Sequence, residues 1–157
     1  MSVAPLPVAG DLAPDFTLRD QFGQSVTLSG FRSRSAVALV FFPLAFTGTC
    51  TSELCELRDN LAMFEAAGVT LLGISVDSTA TLRVFAEREG YSFSLLADFW
   101  PHGEVAGRYG AFLPDKGFAA RATVLVDSRG VVRASFASAP GEPRALASYR
   151  DALGTLG

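Results

Sequence analysis

The sequence is poor in several residue types that mark particular classes of protein. Its 157 residues include two cysteines, one tryptophan and one histidine. Two cysteines are too few for the disulfide framework of a small secreted domain. Two cysteines and one distant histidine also make a poor zinc or copper site. We therefore expect no metal site, and the spacing of the two cysteines has to indicate what they do.

Basic clusters and long apolar runs are also missing. A net charge of −3 and a pI near 5.1 argue against binding to nucleic acid, which needs clustered lysine and arginine. The longest apolar run, 36–46, contains a proline and is shorter than the roughly 18 residues of a membrane span. The first ten residues lack the basic start and apolar core of a signal peptide. We expect a cytoplasmic protein that binds neither nucleic acid nor membrane.

Apolar periodicity predicts alternating strands and helices in one domain that covers residues 1–157. The expected strands are 15–20 and 25–28 in a hairpin turned at Gly23, then 36–42, 69–76, 92–98 and two within 122–136. The expected helices are 49–68, 77–90, a short one within 101–110, and 142–156. This order predicts an α/β fold of the thioredoxin-like type, with a central mixed sheet flanked by helices and an N-terminal β-hairpin extension.

Both cysteines, Cys50 and Cys55, lie in the first turns of the predicted helix 49–68, which follows the strand 36–42. On a helical wheel Cys50 lies on the same apolar stripe as Leu54 and Leu57. Its place in the first turn puts it near unpaired backbone N–H groups and the positive end of the helix dipole, which stabilise an anion. The position suits a nucleophilic thiolate. A buried cysteine with a purely structural role is the alternative.

The residues before Cys50 carry a recognisable motif. Residues 43–50, PLAFTGTC, match the pattern P-x-x-x-T-x-x-C of the peroxiredoxins, which are thiol peroxidases on a thioredoxin-like fold. The resemblance continues in APDFTLRD, in LLADFWPHG and in the arginine that precedes ATVLVD, so it covers nearly the whole chain. Within the family, the sequence is most similar to the E-type alkyl hydroperoxide reductases of actinobacteria.

The resemblance implies a role for each matching residue. Cys50 is expected to attack the peroxide and become a sulfenic acid, and Thr47 to hydrogen-bond the sulfur and the peroxide. Pro43 is expected to shelter the sulfenic acid, and Arg121 to stabilise both the thiolate and the charge on the leaving oxygen. Glu53 either orients this arginine or is a favourable acidic residue in the first helical turn.

Cys55 departs from the one-cysteine pattern of the E type. It matches the C-x4-C spacing of bacterioferritin-comigratory-type peroxiredoxins, in which the second cysteine resolves the sulfenic acid through an intramolecular disulfide. An intact helix separates the two Cα atoms by about 8.7 Å, whereas a disulfide needs about 4.4–6.8 Å. Resolution by Cys55 therefore requires the helix to unwind. The alternative is a partly exposed bystander, with an external thiol resolving Cys50.

Several aromatic residues and the histidine have less specific interpretations. We expect His102 in a loop or near an interface, since the proposed chemistry needs no histidine base. Phe99 and Trp100 are expected to pack rather than to bind a cofactor. The resemblance implies a homodimer formed through loops around the active site, with Phe46, Trp100 and Phe112 as candidate interface residues; burial in the core is the alternative for these three.

The resulting functional hypothesis is a cysteine-dependent peroxidase. The resemblance implies reduction of hydrogen peroxide and organic hydroperoxides, with peroxynitrite as a further candidate, and without metal, haem or flavin. Thioredoxin, or mycothiol with a glutaredoxin-like partner, would return the enzyme to its reduced state. Two alternatives remain: a non-catalytic thiol redox sensor or holdase, and a thiol-disulfide oxidoreductase, although the C-x-x-C motif of the latter is absent.

Overall fold

The structure, a computed structural model, describes residues 5–156. The described chain forms a mixed sheet of seven strands in the order β2-β1-β5-β4-β3-β8-β9, and a separate two-stranded hairpin, β6-β7. The strands are β1 Thr17–Asp20, β2 Ser25–Thr27, β3 Ala36–Phe41, β4 Val69–Ser75, β5 Ser94–Ala97, β6 Phe112–Leu113, β7 Phe118–Ala119, β8 Arg121–Val126 and β9 Val132–Ser138. The helices are α1 Gly48–Asp59, α2 Leu61–Ala66, α3 Thr79–Glu89, α4 Glu104–Arg108 and α5 Leu146–Gly154.

Strand β3 lies in the middle of the sheet, parallel to β4 and antiparallel to β8. Its side chains alternate between two apolar clusters: Ala38 and Val40 pack with α1, α3 and α5 residues, whereas Val37 and Leu39 pack on the opposite face. Because both faces are covered, every residue of β3 is buried and the strand reads as one continuous apolar run. The predicted central strand, and the mixed sheet with helices on it, are confirmed.

The single helix predicted for 49–68 is wrong, because α1 and α2 are separate helices. Asn60 adopts φ −118° and ψ 20° between them, and its side-chain amide donates to the Glu56 carbonyl at 2.8 Å. An asparagine side chain that occupies a backbone carbonyl in this way competes with the helical hydrogen-bond pattern. The second helix then ends before Gly68, whose φ of 72° is left-handed.

The helix predicted for 77–90 is confirmed as α3. Ser78 caps it by accepting a hydrogen bond from the Thr81 N–H, and left-handed Gly90 ends it. The β1-β2 hairpin forms as expected, and the two strands predicted within 122–136 pair with each other as β8 and β9. The last helix is shorter than predicted, and the two-residue strands of β6 and β7 were not predicted, since they are too short for a periodic pattern. No helix within residues 5–156 is long and apolar enough to cross a membrane.

Candidate active site

Cys50 lies in the first turn of α1, as predicted, and its side chain is fully buried. Thr47 is the N-cap residue in an extended conformation, and an early helical hydrogen bond runs from the Thr51 N–H to the Thr47 carbonyl at 2.9 Å. The N–H groups at a helix start have no partner within the helix and favour a nearby anion. Cys50 also packs in the same apolar cluster as Leu54 and Leu57. The sulfur is thus shielded from bulk water at the positive end of a helix.

Arg121 brings a positive charge to this sulfur. It is the first residue of β8, and the antiparallel register that pairs Ala122 with Phe41 places it beside the chain that leaves β3. Its guanidinium donates to Cys50 Sγ at 3.0 Å, to Glu53 Oε1 at 3.2 Å and to the Pro140 carbonyl at 2.5 Å. Three acceptors fix the plane of the guanidinium. A charged donor at this distance stabilises the thiolate over the thiol.

Glu53 lies one turn after Cys50 on α1, and its side chain is 2% exposed. It accepts hydrogen bonds from Arg121 and from both the backbone and the side chain of Arg144. Burial alone would raise the pKa of Glu53, but the hydrogen bonds and charge of Arg144, with that of Arg121, hold the pKa below its ordinary value. Glu53 is therefore a carboxylate that contacts both arginines. The alternative of a first-turn acidic residue is wrong, since Glu53 lies beyond that turn.

Arg144 is the site residue that the sequence did not indicate. It immediately precedes Ala145, the N-cap of α5, and its side chain is 1% exposed. Besides its bonds to Glu53, it donates to the Ala122 carbonyl at 2.7 Å and to Thr123 Oγ1 at 3.0 Å. A positive charge at a helix start is unfavourable for the helix dipole. An arginine that occurs at a helix start despite this cost must have acceptors in another part of the fold. This is the one feature of the sequence that could have indicated Arg144.

The charges of this buried cluster determine the state of the sulfur. Arg121 and Arg144 are cations and Glu53 is an anion, so a protonated Cys50 would leave one buried positive charge uncompensated. An uncompensated buried charge is strongly unfavourable. Ionised Cys50, which accepts from Arg121 at 3.0 Å, makes the cluster neutral. The four side chains together favour a reactive thiolate.

Thr47 and Pro43 occupy the loop between β3 and α1. Pro43 is buried, two residues after the end of β3. Thr47 is exposed, and its hydroxyl donates to the Leu44 carbonyl at 3.0 Å. Within residues 5–156, this hydroxyl forms no hydrogen bond to Cys50. A hydroxyl has a single proton to donate, and in this structure it closes the loop. The arrangement differs from the expected contact between Thr47 and the sulfur.

The aromatic residues predicted to pack are largely exposed. Phe99 is 53% exposed and Trp100 is 81% exposed, so the packing prediction is wrong for both. The loop is held instead by the Asp98 carboxylate, which accepts from two N–H groups of α4. Phe46 is 44% exposed, which also excludes burial in the core. Phe112 is half-buried, and its ring meets the edge of the His102 ring.

His102 lies in an exposed turn, as predicted, and its Nε2 lies 2.6 Å from the Gly117 carbonyl.

Within residues 5–156, no three side chains of the His, Cys, Asp and Glu types are grouped so that they could hold a metal ion.

Cys55 lies on the same intact helix as Cys50, and both are free thiols. It is half-buried, as its position on the helical wheel predicts. Its sulfur donates to Glu89 Oε2 at 3.4 Å and lies 3.5 Å from the Tyr91 hydroxyl. The structure does not bring Cys55 into the cluster of Cys50, Glu53, Arg121 and Arg144.

Comparison with known proteins identifies relatives of this chain. Residues 9–135 match the model of the AhpC/TSA family. The chain is 49% identical over 147 residues to alkyl hydroperoxide reductase E of Mycobacterium tuberculosis, covering 94% of this chain and 96% of that protein. It is 47% identical over 90 residues to peroxiredoxin Bcp of Escherichia coli, which is 57% of each chain.

The fold also matches a solved structure. The crystal structure of peroxidoxin BcpB from Mycobacterium tuberculosis superposes with a TM-score of 0.80, at 32% identity and with 95% of this chain and 96% of that chain covered. The fold and the site define a thiol-dependent peroxidase of the thioredoxin-like class, a peroxiredoxin. The chain belongs to the AhpC/TSA family.

Proposed function

We propose that this peroxiredoxin reduces hydrogen peroxide and organic hydroperoxides, and also peroxynitrite, through a sulfenic acid at Cys50. The observation that carries the proposal is the buried cluster in which Arg121 donates to Cys50 Sγ at 3.0 Å. Because Glu53 compensates only one of the two buried arginines, the cluster favours the nucleophilic form of the cysteine. The similarity to alkyl hydroperoxide reductase E supports the choice of hydroperoxides as substrates.

In the first step the Cys50 thiolate attacks the terminal peroxide oxygen. An S–O bond forms, the O–O bond breaks, and the leaving oxygen departs in hydroxide from hydrogen peroxide, in alkoxide from an organic hydroperoxide or in nitrite from peroxynitrite. An alkoxide then takes a proton from water. Negative charge moves from sulfur to the leaving oxygen, so the donors of Arg121 remain useful throughout the step. Glu53 and Arg144 act through Arg121 and are positioning residues. Thr47 would bind the peroxide by turning its hydroxyl away from the Leu44 carbonyl, and Pro43 would shield the sulfenic acid.

In the second step Cys55 resolves the sulfenic acid. Its sulfur attacks the Cys50 sulfur, an S–S bond forms, the S–O bond breaks, and the oxygen leaves as water with the proton of the Cys55 thiol. The two cysteines are five residues apart on the intact helix α1, so this step requires the first turns to open. Helix ends open locally at low free energy. The product is an intramolecular disulfide.

An external thiol completes the cycle by reducing this disulfide. We assign the reductant to thioredoxin or to mycothiol with a glutaredoxin-like partner, in the cytoplasm. The enzyme acts as a single domain over residues 1–157. Exposed Phe46 and Trp100, together with half-buried Phe112, provide the apolar contacts of a homodimer.

The second step is tested with the substitution Cys55→Ser. After one equivalent of peroxide, we expect the wild-type protein to lose the mass of two hydrogens, since it forms a disulfide. The Cys55→Ser protein should instead gain one oxygen, which a sulfenic-acid reagent such as dimedone should trap. Intact-mass spectrometry measures both products. A wild-type protein that gains an oxygen and forms no internal disulfide would remove Cys55 from the cycle.

A further inference from the structure

A second polar cluster joins α1 to the end of α3. We call it the α1–α3 clasp, and it consists of Cys55 and Arg58 of α1, Glu89 of α3, and Tyr91 just beyond α3. Within residues 5–156, none of its members forms a hydrogen bond to Cys50, Glu53, Arg121 or Arg144. The first step of the reaction therefore makes no use of it.

The clasp bonds reach the segment of α1 that must open. The Tyr91 hydroxyl donates to the Thr51 carbonyl at 3.3 Å, and Thr51 is the residue directly after Cys50. The same hydroxyl lies 3.5 Å from Cys55 Sγ. Tyr91 thus contacts the helix at both ends of the segment that separates the two cysteines. A displacement of either end breaks one of these contacts.

Glu89 and Arg58 connect the same segment to α3. The Cys55 thiol donates to Glu89 Oε2 at 3.4 Å, and the Arg58 guanidinium donates to the Glu89 carbonyl at 2.5 Å. In the reduced protein, these contacts bind Cys55 and the following turn of α1 to the end of α3.

The Tyr91 ring is fixed in place by its neighbours. It stacks on Phe93 with ring centroids 5.0 Å apart and meets the edge of Phe85 at 5.2 Å. Burial raises the pKa of Tyr91 far above its ordinary value, and the negative charge of Glu89 raises it further. The phenol therefore keeps its proton and remains a donor on a rigid ring.

We propose that Glu89 and Tyr91 are positioning residues that hold Cys55 on α3 and so set how fast it reaches the Cys50 sulfenic acid. The inference rests on the proposed resolving role of Cys55. For the disulfide to form, the clasp bonds must break before the Cys55 sulfur attacks and water leaves. The clasp thereby prolongs the lifetime of the sulfenic acid, during which a second peroxide can oxidise it to sulfinic acid.

The substitutions Tyr91→Phe and Glu89→Ala test the clasp. Each removes a hydrogen bond that holds α1 and leaves Cys55 in place. We expect the rate of disulfide formation, relative to the rate of Cys50 oxidation, to rise about three- to tenfold, which corresponds to the loss of one ordinary hydrogen bond. Stopped-flow mixing with peroxide followed by acid quench and intact-mass analysis gives both rates. The yield of sulfinic acid at excess peroxide should fall in the same variants.

Matched controls are present in the chain. Tyr109→Phe removes a hydroxyl that donates to the Pro14 carbonyl on the other face of the sheet. Glu87→Ala removes an exposed carboxylate that pairs with Arg83 on α3. Both controls should keep the wild-type ratio of rates. A purely structural role of the clasp would lower the melting temperature without changing that ratio.

The possible failures are distinguishable. If the wild-type protein forms no internal disulfide, the resolving role of Cys55 is wrong and the clasp proposal is overturned with it. If the wild type forms the disulfide and the two variants keep or lower the wild-type ratio, the clasp proposal alone is overturned.

Discussion

Cys50→Ser is expected to abolish the fast reaction with peroxide, with a loss of roughly four orders of magnitude or more in the rate, the scale seen when an enzyme loses its nucleophile. A serine hydroxyl stays protonated where a cysteine ionises, and Arg121 alone does not convert it into an alkoxide. Stopped-flow measurement of peroxide consumption, under reducing conditions, gives the rate. The fold should remain, because serine is close to cysteine in size.

Cys55→Ser is the matched control, since it removes the other thiol from the same helix. Its first oxidation step should proceed at a rate near that of the wild type, because Cys55 lies outside the cluster around Cys50. Fast peroxide consumption by the Cys50→Ser protein would mean that Cys55 or another group is the nucleophile. In that case the assignment of the site is wrong.

Arg121→Lys is expected to lower the rate of Cys50 oxidation about 10²- to 10³-fold, the effect of removing a donor from a site of developing charge. Lysine keeps the positive charge but lacks the planar fork that contacts Cys50, Glu53 and Pro140 together. Glu53 would still be bound by Arg144, so the fold should survive. The rate is measured by stopped flow and the fold by circular dichroism.

Arg133→Lys is a suitable control for this substitution. Arg133 lies on β9, next to β8, and its guanidinium donates to the Thr155 carbonyl instead of to a site residue. It should keep the wild-type oxidation rate. An Arg121→Lys protein as fast as this control would show that the guanidinium geometry is not needed for the attack on peroxide.

The position of Cys50 was predictable from the sequence because it depends on local patterns. The apolar strand, the proline after it and the helical stripe around Cys50 all lie within 36–64, and local periodicity is what sequence analysis reads well. The pairing of Cys50 with Arg121 was expected from the family motif rather than from the residues alone. The structure adds the distance of 3.0 Å between the Arg121 guanidinium and Cys50 Sγ, at which the positive charge stabilises a thiolate.

The rest of the site depends on contacts between distant segments. Arg144 meets Glu53 across 91 positions of the chain, and no local pattern encodes that contact. The break at Asn60 depends on a side-chain hydrogen bond that periodicity does not register. The exposure of Trp100 was missed because aromatic rings usually pack in cores, whereas here Asp98 holds the loop without them.

The central claim is that Cys50 is ionised at neutral pH because the buried arginines and the helix start stabilise its charge. The most direct measurement is an ultraviolet titration of thiolate absorbance in the Cys55→Ser protein, with the Cys50→Ser, Cys55→Ser double variant as the baseline. Because Arg121 donates to the buried sulfur at 3.0 Å, Cys50 should show thiolate absorbance at neutral pH. The absence of that absorbance at neutral pH would contradict the claim.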